Sequence, residues 1–191
     1  MGAGVIREPD WPSLADGLSE RLTAAMRRVD AAGRVTVVHT WPLPLTKETW
    51  LRLAAACFSP AHADEVRWLW RDREEDAWLV ARGAAAVVTA GGPARFLSLR
   101  DQAEACLAHL DARAEDEVRW WCGGAFAADA PAGPWQGWPQ AVAVLPQLCF
   151  AAGDHPRLTC AVSLAPGDDP RAAAGRVMAA AVRWWRAAHA R

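Results

Sequence analysis

The sequence predicts an α+β domain in which a largely antiparallel sheet of about six strands packs with helices. Two observations carry this. The apolar spacing changes along the chain in the order αβαββαβββα, and several strands are hairpin neighbours, whereas a doubly wound parallel sheet would need regular alternation. A third sets the scale: 191 residues, 52% hydrophobic and 23% charged, suffice for a sizeable core and exclude wholesale disorder.

Residues 1–11 read as an irregular lead. From Pro12 to about Ala32, Leu14, Leu18, Leu22, Ala25, Met26 and Val29 recur at spacings of three and four, the mark of a helix with one buried stripe, which Gly33 stops. Val35–Thr40 is β-branched and bounded by Gly33 and Pro42, hence a strand. Thr46 is placed to cap a helix over roughly 47–57. The period then falls to two over 66–70 and 77–90, strands joined by the charged turn 71–76, with Gly83 marking a bulge or bend. Helical spacing returns over 94–112 with Phe96, Leu99, Ala103, Cys106, Leu107 and Leu110 on one face. Strands follow at 118–127, 141–150 and 157–165. A last helix runs from Asp169 or Pro170 to about Ala190, with Ala174, Val177, Met178, Ala181, Val182 and Trp185 as its stripe. Residues 1–33 are expected to be a lead and helix, and 34–191 the α+β domain.

Composition narrows function chiefly by exclusion. A net charge of -1 offers no clustered excess of base for nucleic acid or an anionic membrane. No run approaches the ~18 apolar residues of a membrane span, and the N-terminus lacks a signal-peptide core. Five widely spaced cysteines without a CxxC pair argue against zinc and against a disulfide framework, so buried free thiols and a cytoplasmic location are expected. Arginine supplies every basic residue but Lys47, a bias expected of a genome rich in G and C.

Few residues suggest chemistry. The five histidines are scattered, with no HExxH motif, so any His–acid pair would have to assemble in space. Gly91-Gly92 precedes Pro93 and reads as a turn. Gly123-Gly124 falls inside an apolar run, where a bulge under a large side chain is the simpler reading and ligand contact the sharper one. The charged run 72–76 has the wrong spacing for a calcium loop, and Lys47 reads as a solvated helix start. Most of the twelve tryptophans suit a core. Trp184 falls one position off the last helix's stripe and is expected to be exposed, at an interface.

The middle of the chain resembles the N-terminal half of isochorismate synthases, members of the chorismate-utilising enzymes. Residues 66–107 match a tryptophan strand, an acidic turn, an A-x-G-x-A strand and a helix near "RF". Residues 121–150 match a glycine pair, a phenylalanine, a W-x-x-W-P loop and a strand with "LP": Gly123, Gly124, Phe126, Trp135, Trp138, Pro139, Leu145 and Pro146. The resemblance covers about residues 60–165 and implies that the glycine pair, Phe126, Trp135, Trp138 and Pro139 form a packing or junction motif. It also implies conversion of chorismate to isochorismate with Mg2+, in menaquinone or siderophore pathways. The family's catalytic lysine and glutamates and its magnesium ligands lie in a C-terminal half that this sequence does not match, and no lysine follows Lys47. No catalytic, cofactor-binding or metal residue is therefore assigned. The expectation is a truncated or split scaffold region, inactive alone, whose partner is a separate chorismate-binding catalytic chain or a second copy. The alternatives are a stand-alone small-ligand-binding or regulatory module and an unrelated enzyme with a spatially assembled His/acid site.

Overall fold

The computed structural model describes residues 8–29, 33–59, 65–71, 77–125, 133 and 136–190. Among them run α1 (Trp11–Met26), β1 (Val35–Pro42), α2 (Lys47–Cys57), β2 (Arg67–Arg71), β3 (Trp78–Ala90), α3 (Arg95–Leu107), β4 (Leu110–Asp111), β5 (Trp121–Gly124), β6 (Ala141–Ala152), β7 (Arg157–Leu164) and α4 (Pro170–His189). The fold is α+β, with one sheet of seven strands in the order β2-β3-β6-β7-β1-β4 and β5 paired to β6. Every pairing is antiparallel except β1 with β4.

Local chemistry sets the element ends. The Asp10 carboxylate and the Thr46 hydroxyl accept the N–H of the residue three positions on, Ser13 and Thr49, and Asp169 accepts from Arg171 ahead of the last helix. Each satisfies a donor that a helix start would leave open. Pro at the first turns of α1 and α4 forgoes no helical bond. Gly83 lies at φ +70°, where a side chain is strained, and the β3–β6 register shifts just beyond it, between Ala84 and Ala86. Past this bend β6 changes partners on its other side. Its Leu148–Ala151 stretch pairs with β7, and its Ala141–Val144 stretch pairs with β5.

One face of the sheet carries the main core. Val37, Val80, Leu148, Phe150, Leu158 and Val162 meet α1, α2 and α4 there. On the opposite face Trp121 stacks on Trp68 at 5.7 Å over Leu79, Ala81 and Ala151. The strand count exceeds the expected six because Leu110 and Asp111, assigned from spacing to the end of a helix, form β4 along β1. Of the expected strand 118–127, the described residues form a strand only over 121–124, and 126 and 127 lie outside them. Its lead-in is tied to the edge of β1 instead, where the Asp116 carboxylate accepts the Thr40 N–H and Glu117 N–H donates to the Thr40 hydroxyl.

Two packing expectations fail. The α3 stripe is only partly covered: Phe96 is 55% exposed and Leu107 45%, Ala103, Cys106 and Leu110 are half-buried, and Leu99 is buried. The helix meets only a small-residue patch of the sheet, formed by Val88, Ala90, Ala141 and Ala143. Trp184 is not an exposed interface residue. It is 1% exposed, donates its Nε1–H to the Leu53 carbonyl at 2.7 Å and meets Phe150 edge-on at 4.9 Å. The reason is that α4 packs on α1, α2 and the sheet together, so its buried sector is wider than one stripe.

Candidate functional site

The outer edge of β1 gathers charged side chains from distant parts of the chain. Arg21 projects from the buried face of α1 and is 8% exposed. Its Nη1 donates to the Asp116 carboxylate at 2.5 Å and to His39 Nδ1 at 2.9 Å, and its Nη2 reaches Asp111 at 3.4 Å. Asp111 also pairs with Arg28. The Asp116 side chain is fully buried and accepts two backbone N–H groups, from Thr40 and Arg113, each at 2.8 Å.

Electrostatics fixes the charge states. Burial alone would raise the Asp116 carboxyl, but the N–H of Arg113, the Arg21 guanidinium and the N–H of Thr40 outweigh it and hold the group below the usual carboxylate range. His39 is pushed below the ordinary imidazole value by burial first and by the Arg21 charge second, against the opposing pull of Asp116. Because Arg21 donates to Nδ1, the neutral ring carries its proton on Nε2.

A second charge cluster lies one residue further on. Glu117 is gripped by Arg119 and Arg157, which overcome its burial and hold its carboxyl low. Thr40 and Thr159 join across β1 and β7 through their hydroxyls at 3.1 Å. A cleft of about 900 Å3 beside them is lined by Thr40, Asp116, Glu117 and Arg157 together with Pro44 and His155. Near Glu117 lies the half-buried Cys149, whose thiol is pushed up to about 12, by desolvation first and by Glu117 second. A thiol held protonated in this way is a poor nucleophile.

A buried, arginine-bound carboxylate is a weak base, because its low pKa leaves little drive to take a proton at neutral pH. The His39–Asp116 approach of 3.4 Å resembles a catalytic pair only in composition. The nitrogen facing the carboxylate accepts from Arg21 and has no proton to share with the acid. The arrangement clamps α1 and the 110–117 segment onto the sheet edge. Neither cluster was visible in sequence, since Arg21 and Asp116 stand 95 residues apart.

The residues singled out from sequence lie elsewhere. Gly123 and Gly124 end β5. A Cβ at Gly124 would sit 2.8 Å from the Phe96 ring and 3.0 Å from the Gln140 carbonyl, whereas one at Gly123 would meet nothing. Trp138 and Pro139 are exposed ahead of β6, and Phe126 and Trp135 lie outside the described residues. Lys47 opens α2 and sits 5.6 Å from the centre of the Trp78 ring.

Comparison with known proteins places the chain. The family described as chorismate binding enzyme matches residues 43–190. The chain belongs to that family. No curated protein matches it. Among solved structures it is similar to MenF, the menaquinone-specific isochorismate synthase from Escherichia coli, at 18% identity and a TM-score of 0.41. That likeness covers 86% of this chain and 33% of MenF, so the chain spans about a third of the relative's length.

The resemblance to chorismate-binding enzymes implies magnesium, and the edge clusters do not suit it. A magnesium ion needs carboxylate oxygens open to it in octahedral geometry. Here Asp116 and Glu117 are already committed to guanidinium and amide donors. Among the described residues no group of three or more His, Cys, Asp or Glu converges to hold a metal. Nor is any helix among them long and apolar enough to cross a membrane.

Proposed function

We propose that this chain is the scaffold region of an isochorismate synthase-like enzyme, which acts with a catalytic segment not represented in its 191 residues. The observation that carries this is the match to chorismate-binding enzymes across residues 43–190. The chemistry of the sheet edge supports it. The carboxylates of the buried Asp116 side chain and the half-buried Glu117 hold the fold together in ion pairs, which suits anchors and not acid–base catalysts. The chain alone is then inactive, and magnesium and chorismate are bound by the catalytic segment, on a separate polypeptide or as a continuation of the same one. The cell compartment that suits this role is the cytoplasm.

The test is complementation. The purified chain is assayed for isochorismate formation from chorismate and magnesium, alone and mixed with a separately expressed chorismate-binding catalytic domain. The expected result is background turnover alone, with a complex and raised activity on mixing. Turnover by the chain alone, or unchanged activity with no complex on mixing, would overturn the proposal.

A further inference from the structure

A groove on the helix-bearing side of the sheet carries a charge imbalance that neither edge cluster explains. It lies where the β3 bulge meets α4 and has a volume of about 480 Å3. Arg82 forms one wall. This side chain is 8% exposed, and its guanidinium is held in place by a two-point pair with Glu65, the Nη2 bond being 2.6 Å. Arg176 and Arg183 form the opposite wall and make no ion pair among the described residues. They stand seven positions apart on α4, about 10.5 Å along the axis, with Ala180 on the same stripe between them. The small Ala180 leaves the space over which two long side chains can close.

The floor is uncharged. Gly83, at φ +70°, contributes no side chain, and the Gln147 amide lies over it, 3.3 Å from where a Cβ would be. Arg82 is already paired, so the positive charge that Arg176 and Arg183 bring to the groove is the part no ion pair among the described residues offsets. Like charges gathered in a concavity repel one another unless an anion joins them, and the low-dielectric walls strengthen its attraction. Arginine holds carboxylates through two parallel N–H bonds, so two arginines two turns apart suit two separated carboxylates better than a single compact anion.

We propose that this groove binds a small dicarboxylate, each carboxylate taken by one of Arg176 and Arg183. The site is independent of the scaffold reading. It lies on the opposite side of the sheet from Glu117 and Cys149 and requires no partner chain.

Isophthalate, benzoate and inorganic phosphate serve as probes in calorimetric titrations of the intact protein. Isophthalate is expected to bind at least tenfold more tightly than benzoate or phosphate, and more weakly as salt rises. The exposed positions of Arg176 and Arg183 allow R176Q, R183Q and the double variant to fold, which circular dichroism verifies. Each single change should weaken isophthalate at least fivefold, and the double change should abolish its advantage over benzoate. Equal binding of isophthalate and benzoate, preference for phosphate, or undiminished binding by the double variant would each overturn the dicarboxylate site. None of these outcomes bears on complementation by a catalytic domain.

Discussion

Arg21 shows how far one side chain can govern a sheet edge. Its guanidinium neutralises a fully buried carboxylate, so removing it strands a charge in the interior. Arg21→Met is expected to destabilise the fold by ~3–5 kcal/mol in urea titrations, the usual range for breaking one partner of a buried pair. Acid should act on the same cluster in two stages. The folded values of His39 and Asp116 both lie below their ordinary ones, so each contributes stability above its unfolded pKa. That stability is lost as pH falls, for His39 below about 6.5 and for Asp116 below about 3.9. Urea midpoints measured from pH 7 to 3 should decline in both windows, and His39→Gln should flatten the upper decline alone. Gly124 exerts a different kind of control. Gly124→Ala brings a methyl against Phe96 and the Gln140 carbonyl, and the expected loss is ~1–3 kcal/mol by thermal denaturation. Phe96→Ala in the same protein should return part of it, since the ring is more movable than the backbone.

Helix α4 is the element on which the core depends most. Sequence spacing assigned it a single stripe containing Trp185, and that stripe is buried as expected except for Val182, which is half-buried. What spacing could not convey is that α2 lies against the helix from another side, where Trp184 meets the Leu53 carbonyl. A periodic pattern reports one apolar direction and is silent about how many neighbours a helix has. Trp184→Ala should therefore destabilise by ~3–5 kcal/mol. Trp184→Phe should recover most of that while still losing the hydrogen bond, and chemical denaturation of both variants separates the two contributions. The same limit explains α3, whose regular stripe meets only a narrow patch of sheet. By contrast the bend at Gly83 and the cap at Thr46 were legible, because each depends on a residue type that acts on its immediate backbone.

Across the whole molecule, elements with local causes could be read from sequence, and the candidate site, assembled from residues 21, 39, 111, 116, 117, 119 and 157, could not. The cysteines illustrate both sides. None forms a disulfide among the described residues, as their spacing suggested, yet Cys122 is exposed where buried thiols were expected. Iodoacetamide applied to the native protein at neutral pH should label Cys122 first, whereas Cys57, Cys149 and Cys160 should react only after unfolding. Mass spectrometry of the labelled peptides checks this. The topology also bears on how the protein comes to exist. Strand β1 lies between β7 and the two-residue β4, and its Thr36 meets Ser163, 127 positions later. On the ribosome β1 must therefore wait through most of synthesis for its principal neighbour. Until then its apolar Val37 and Val38 have only the two-residue β4 beside them, and a nascent chain halted before residue 157 lacks the strand that joins β1 to the rest of the sheet. The sheet is finished from its end, with the first strand made among the last to be paired.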